Sequence, residues 1–285
     1  MIALSLVLAA LLQPAATVAL QQDDRGRPVI EAQINDKGPF AMVVDTAAQT
    51  SLLAPSLVQE LALRPLEGDM TIIGAVGMQT AKIYPVERLN AGLFDERQLE
   101  MLALPNDSIT SARGIIGMER FAGSKVLFDL TAGTLTIAPS SAAASGHATV
   151  AGTTDGNGML HVPLRLDGVS VQALVDTGAG RSVGNLALLK ALGLRQDDPR
   201  VKPAGEIRGT ADAATAAWIV QLETVALGPV RFRDVPLLIS DMGEAGTPSM
   251  LLGNDLLGVL QGYAVDFPRA ELQIRLPAAP APAKP

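Results

Sequence analysis

An apolar strand that ends in Asp-Thr occurs twice in this chain, as AMVVDTAA over residues 41–48 and as ALVDTGA over residues 173–179. The two aspartates, Asp45 and Asp176, lie 131 residues apart, and three later landmarks nearly keep that separation. Gly74 of TIIGAVG pairs with Gly209 of EIRGTAD, Gly117 of GIIGMERF with Gly253 of MLLGNDLL, and Asp129 of VLFDLTAGTLTI with Asp266 of YAVDFPRAELQI. Four landmarks in one order, drifting by six residues, mark an internal duplication. Two copies of one unit can close about a pseudo-two-fold axis, where a landmark in one copy meets its twin in the other. For the strand-end aspartates such a meeting has chemical consequences.

The repeats run from Arg27 to Pro139 (27–139) and from Asn157 to Leu276 (157–276), each the size of a small domain. Their pattern is one of short strands. Val29 to Ile34 alternates, residues 35–39 turn, and Phe40 to Val44 is continuously apolar; Leu160 to Leu166, Asp167-Gly168 and Val169 to Val175 repeat the arrangement. Short helices are expected at 55–61 and 186–192, hairpin tips at Gly74 and Gly209, and closing hairpins at 126–137 and 264–274. The predicted fold class is all-β with a few short helices, as two pseudo-two-fold-related lobes with the active site between them.

The segments outside the repeats read differently. Residues 140–156 are rich in Ser, Ala, Gly and Thr and predict a flexible linker, and the Pro/Ala tail at 277–285 predicts an extended, disordered end. Ile2 to Leu12 is an apolar run too short to span a bilayer, followed by small residues up to Ala19. Residues 1–19 therefore read as a signal peptide, giving a secreted, periplasmic protein with no stable membrane span. The alternative is an uncleaved N-terminal membrane anchor, since Lys and Arg are missing before the apolar run.

Composition narrows the chemistry. A net charge of −7 with 3% aromatic residues argues against nucleic acid as a partner. The chain has no cysteine, which removes disulfides and thiol chemistry, and two histidines leave little for a metal site or a triad. No metal and no cofactor is expected. A carboxylate at the end of an apolar strand is costly unless hydrogen-bonded or paired. A turn-capping role suits Asp129 and Asp266, each of which opens a polar turn. It suits Asp45 and Asp176 less well, because their matching Asp-Thr contexts are each followed later by an apolar-apolar-Gly segment: Ile115-Ile116-Gly117 and Leu251-Leu252-Gly253.

On these residues the chain resembles the aspartic protease family, specifically its retropepsin-like members in secreted bacterial form. The family pattern is apolar-apolar-Asp-Thr-Gly-Ala, a flap hairpin, then apolar-apolar-Gly. LVDTGA followed by LLG matches it throughout, and VVDTAA followed by IIG matches it except at Ala47. The resemblance implies a single-chain aspartic endopeptidase of retropepsin/pepsin-like lobes acting on a peptide or protein substrate as a monomer. It makes Asp45 and Asp176 the catalytic pair, sharing one proton because two close carboxylates do not both ionise readily. Which aspartate holds the proton stays open. Thr46, Thr177, Ala47 and Gly178 support the dyad. Ile73, Gly74 and Ala75, with Gly209 in the second repeat, belong to flap hairpins, and Gly117 and Gly253 to the glycine segments.

Departures from the family pattern are informative. Ala47 puts a methyl beside the catalytic carboxylate. The Asp and Arg that retroviral members carry after their glycines are replaced by Gln49 and Gly180, and by Met118 and Asn254. The stretch Gly180 to Gly184 spells the Gly-x-Ser-x-Gly of serine hydrolases, but both histidines precede Ser182, so a turn role is expected for it. Two rival readings accompany the endopeptidase: a catalytically weak peptide-binding protein on the same fold, marked by Ala47, and a β-rich envelope protein whose Asp-Thr pairs only stabilise loops.

Overall fold

The computed structural model describes residues 15–74, 77–107, 110–209, 214–243 and 246–277. In the first repeat, β1 (Ala16–Ala19), β2 (Gln21–Gln22), β3 (Pro28–Ile34), β4 (Lys37–Val44) and β5 (Leu52–Leu53) precede helix α1 (Pro55–Glu60). β6 (Asp69–Ile73), β7 (Met78–Asn90), β8 (Asp95–Ala103), β9 (Gly114–Ile116), β10 (Lys125–Asp129) and β11 (Thr134–Ala138) follow. The second repeat has β12 (His147–Ala151), β13 (Thr153–Thr154), β14 (Leu160–Leu166), β15 (Val169–Val175), β16 (Val183–Asn185) and helix α2 (Leu186–Ala191). It ends with β17 (Lys202–Arg208), β18 (Ala214–Leu227), β19 (Val230–Ser240), β20 (Ser249–Leu252), helix α3 (Asn254–Leu257), β21 (Gly262–Asp266) and β22 (Glu271–Arg275).

The alternation in β3 and β14 sends Ile30, Ala32 and Ile34, and Leu160, Val162, Leu164 and Leu166, into the core. Each strand returns through a two-residue turn with left-handed backbone, Asn35-Asp36 in one copy and Asp167-Gly168 in the other. Such turns match the twist of the strands they join. The returning strands β4 and β15 then lie parallel to the glycine segments, Val44 beside Ile116 and Val175 beside Leu252. Asp45 and Asp176 are the residues at which the chain leaves these buried strands.

Each repeat forms an eight-stranded sheet, in the order β2-β3-β4-β9-β5-β8-β7-β6 and, strand for strand, β13-β14-β15-β20-β16-β19-β18-β17. A third sheet, β1-β11-β10-β21-β22-β12, reads the same from both ends and carries the pseudo-two-fold axis between β10 and β21. It joins the lobes by backbone pairing from Lys125 with Asp266 to Asp129 with Gly262. The Arg275 guanidinium adds a two-pronged ion pair to Asp129, at 3.0 and 2.6 Å. One continuous apolar core runs beneath both lobes, from Ile30, Leu57 and Phe121 through Phe128 and Tyr263 to Leu188 and Leu237.

At two boundaries the structure departs from the expectations above. Residues 147–151, expected in a flexible linker, are strand β12, paired along its whole length with β22, and Val150 is buried. Small residues suit this edge strand, which needs only one anchoring apolar side chain. Ala16–Ala19, at the end of the expected signal peptide, are strand β1, paired with β11 as β12 is with β22. The duplicated unit thus begins at β1 in one copy and β12 in the other, and cleavage after Ala19 would remove a strand that the second copy retains. Residues 1–14 of the expected leader and 278–285 of the expected tail lie outside the described residues. Among the described residues no helix is long and apolar enough to cross a membrane.

Candidate active site

The two Asp-Thr loops interlock across the axis through a closed set of buried hydrogen bonds. The Thr46 hydroxyl donates to the Val175 carbonyl (2.7 Å) and accepts from the Thr177 N–H (3.2 Å). The Thr177 hydroxyl donates to the Val44 carbonyl (2.6 Å) and accepts from the Thr46 N–H (3.0 Å). Both threonines are essentially inaccessible to solvent. Each hydroxyl thus uses its donor and an acceptor on the opposite lobe, so neither loop can shift alone without leaving a buried polar group unpaired.

This lattice places the aspartates side by side. Asp45 is buried, and its Oδ1 accepts from the N–H groups of Ala47 (2.8 Å) and Ala48 (3.0 Å). Asp176 is partly accessible, and its Oδ1 accepts from the Ala179 N–H (2.9 Å). The Asp45 carboxyl reaches across to the opposite loop and lies over Gly178, two residues on from Asp176. A Cβ on Gly178 would fall inside the Asp45 carboxyl. The pseudo-symmetric position in the other loop is Ala47, whose methyl fills the space that Gly178 leaves open. Asp45 can therefore lean over Gly178, while Asp176 cannot make the matching approach over Ala47.

The charges differ accordingly. Burial raises the Asp45 carboxyl above the ordinary range, against the pull of the Ala47 and Ala48 N–H groups, the Arg27 charge and the Gly178 N–H. Asp176 is pushed up to about 8, first by burial and then by the charge of Asp45; the Ala179 and Gly178 N–H groups and Arg27 oppose the rise. Both carboxyls therefore keep their protons to higher pH than a free aspartate. Two adjacent carboxyls of this kind can supply a base and an acid in one site when one of them is ionised.

Gly117 and Gly253 lie against the backbone of these loops. A Cβ would come within 2.6 Å of the Thr50 carbonyl carbon in one case and of the Arg181 carbonyl carbon in the other. Close approach is what glycine supplies here. Each loop is braced further by a serine that the sequence reading left without a site role. Ser51 Oγ donates to Glu119 Oε1 (2.5 Å) and accepts from the Gly117 N–H (3.0 Å). Ser182 Oγ donates to Asp255 Oδ1 (2.6 Å) and accepts from the Gly253 N–H (3.0 Å). Ser182 is thus a buried brace with an acidic partner, in keeping with the turn role expected of it. Both braces were available in the sequence: the serines share the spacing of the aspartates, and each acid stands two residues after its glycine. Asn254 adds a third tie in the second lobe, its side-chain NH2 donating to the carbonyls of Thr177 and Ala179. Met118 occupies the matching position in the first lobe.

The two hairpins following the loops are unlike. In the first, β6 and β7 carry exposed apolar side chains near the tip, with Ile73 73% and Met78 71% accessible. Its left-handed backbone falls on Gly77 (φ 74°), whose carbonyl accepts from the Gly74 N–H (3.1 Å); the freedom expected at Gly74 belongs three residues later. Ala75 lies outside the described residues. In the second, β17 is polar and solvent-facing through Lys202, Glu206 and Arg208 and leads to Gly209. Among the described residues no group of three or more His, Asp or Glu could hold a metal ion.

The family model described as aspartyl protease matches this chain twice, over residues 30–120 and 162–256. The two matches cover most of the chain and coincide with the two lobes, and the chain belongs to the aspartyl protease family. No curated protein matches it significantly.

Proposed function

We propose that this aspartyl protease family member is an endopeptidase that hydrolyses peptide bonds with a water held between Asp45 and Asp176. The observation that carries the reading is the threonine lattice, which locks the two Asp-Thr loops together and sets the Asp45 carboxyl over Gly178 in the loop of Asp176. The ionised carboxylate takes a proton from the water as its oxygen attacks the peptide carbonyl carbon. The protonated carboxyl gives its proton to the carbonyl oxygen, and a neutral tetrahedral diol results. Return of the first proton to the amide nitrogen breaks the C–N bond and releases an amine and an acid. As the C–N bond breaks, one diol hydroxyl gives its proton back to the carboxylate that had protonated the carbonyl oxygen, and the dyad recovers its single proton. Thr46 and Thr177 hold the loops in position and transfer no proton.

The apolar hairpin end at Met70, Ile73 and Met78 favours substrates with apolar side chains beside the cut, where burial adds binding free energy. Both lobes come from one chain and share one sheet, so the working unit is the monomer. The expected leader makes the protein a secreted one. Ala47 favours a second reading, a weak or inactive peptide binder, because its methyl blocks the symmetric approach of Asp176.

Cleavage profiling of a mixed peptide library, with Asp176→Asn as control, separates the two. The endopeptidase reading expects cuts flanked by apolar residues in the wild type and none in the variant. Binding without cleavage supports the second reading, and cleavage mainly beside Lys, Arg, Asp or Glu contradicts the proposed cleft.

A further inference from the structure

The duplication reaches further upstream than the strands that carry the aspartates, into a tight turn ahead of β3 and β14. In the first copy the Asp23 N–H donates to the Arg27 carbonyl (3.0 Å) and the Gly26 N–H to the Asp23 carbonyl (3.0 Å). The Asp23 carboxylate caps the turn, accepting from the N–H groups of Arg25 and Arg27 at 2.9 Å each. In the second copy Asp155, Asn157, Gly158 and Met159 make the same bonds: Asp155 N–H to Met159 carbonyl (3.1 Å), Gly158 N–H to Asp155 carbonyl (3.0 Å), and the Asp155 carboxylate accepting from Asn157 and Met159. Gly26 and Gly158 share the left-handed backbone that the turn needs. The turns differ in their last residue, Arg27 against Met159.

That residue stands beside the dyad. The register of β3 on β4, carried two residues past the Val29–Val43 pair, sets Arg27 across from Asp45. The register of β14 on β15, carried past the His161–Leu174 pair, sets Met159 across from Asp176. Arg27 is 4% exposed. Its guanidinium is held by Asp23 (2.7 and 2.6 Å) and donates to the Thr110 hydroxyl (3.0 Å). The turn also reaches the opposite lobe, since a Cβ on Gly180 would come within 2.7 Å of the Arg25 carbonyl oxygen. A pseudo-symmetric site thus has a buried cation on one side and a thioether on the other.

We propose that Arg27 gives the dyad its polarity, holding the negative charge on Asp45 and leaving the shared proton on Asp176. This rests on the reading of the pair as a catalytic dyad. Asp45 is then the base that takes the proton of water, and Asp176 the acid that protonates the carbonyl oxygen. A scissile bond would be accepted in the one direction that offers its carbonyl oxygen to Asp176. Arg27 touches neither water nor substrate in this scheme; it is a positioning residue for charge. Among the described residues the charge acting on both carboxyls is Arg27, and behind it stands Asp23. Burial alone would raise the Asp23 carboxyl, but the hydrogen bonds and charge of Arg27 bring it below its usual range. Asp23 therefore stays ionised and offsets part of the Arg27 charge. Burial raises both carboxyls and the Arg27 charge lowers both; the asymmetry lies in position, with Arg27 across from Asp45 and Met159 across from Asp176.

The test is carboxyl 13C NMR of aspartate-labelled protein, with the two signals assigned by their loss in Asp45→Asn and Asp176→Asn, alongside pH profiles of kcat/KM. Asp45 is expected to lose its proton first as pH rises, and Asp176 last. Arg27→Met should move the Asp45 titration and the acid limb of kcat/KM upward by about one pH unit or more, the scale for losing a nearby opposite charge. Asp23→Asn should move both downward, because the Arg27 charge is then no longer offset, while Arg27→Lys should keep the wild-type order. Loss of turn structure alone would not produce shifts of opposite sign. If Arg27→Met does not fold, Asp23→Asn and Arg27→Lys still decide. Deprotonation of Asp176 before Asp45, or an Asp23→Asn titration that stays put or rises, overturns the proposal. A wild type that titrates in the expected order but cleaves no peptide overturns the peptidase reading and upholds the polarity.

Discussion

Gly178→Ala places one methyl group where the account has least room. The new Cβ would lie 2.8 Å from Asp45 Oδ1 and nearer still to Cγ and Oδ2, against 3.4–4 Å for ordinary contact. The carboxyl must retreat by about 1 Å or more, and the retreat pulls it away from the loop that carries Asp176. Misplacement of a reacting group on that scale costs on the order of 100-fold in rate. Stability should change far less. Overpacking costs about 1–3 kcal/mol, and the lower backbone entropy of alanine in the unfolded chain returns about 0.4–1 kcal/mol. Gly178 does not adopt a positive φ, so the backbone adds no penalty. The assay is kcat/KM for one apolar peptide from acidic to neutral pH, with the melting temperature measured on the same preparations. A folded Gly178→Ala protein within twofold of wild-type kcat/KM would refute the placement of Asp45 over Gly178.

Three further outcomes follow from the same geometry. Ala47→Gly removes the methyl that blocks Asp176, and turnover should rise severalfold, within the roughly 100-fold scale of a 1 Å correction; unchanged or lower kcat would show that the methyl is accommodated. Asp176→Asn should be inactive but more stable than the wild type at pH 8, with the difference shrinking toward pH 4. The folded-state pKa of about 8 lies above the unfolded value, so the Asp176 contribution to stability is fullest below about 4 and is lost as pH rises through 8; a variant-minus-wild-type difference equal at both pH values would contradict this. Thr177→Val strips partners from the Val44 carbonyl and the Thr46 N–H, both buried, and should cost about 2–5 kcal/mol in chemical denaturation, against almost nothing if the lattice is slack.

The sequence was legible where chemistry repeats at constant spacing. Asp45 with Asp176, Thr46 with Thr177 and Gly117 with Gly253 could be paired because their residue types coincide, and the alternation of β3 and β14 displayed the buried face. The duplicated turn was hidden because only an Asp and a Gly repeat in it, Asp23 with Asp155 and Gly26 with Gly158, a pairing common to many turns, and its most consequential position differs between copies. Arg27 alone resembles a surface cation; only the strand register places it opposite Asp45. Strands β1 and β12 escaped for a related reason. They are edge strands of small residues, and their pairing is fixed by β11 and β22 rather than by an apolar pattern of their own. The Ser51 and Ser182 braces needed the second half of each pair, Glu119 and Asp255, which differ in length while performing the same task.

The most direct measurement is hydrolysis of a single apolar peptide in 18O-enriched water by the wild type, Asp45→Asn and Asp176→Asn, each over a wide range of protein concentration. The account predicts one 18O atom in the new carboxyl group, turnover per mole that does not fall on dilution, and no turnover in either variant. Turnover retained by either asparagine variant, or a wild type that leaves the peptide intact, would contradict it.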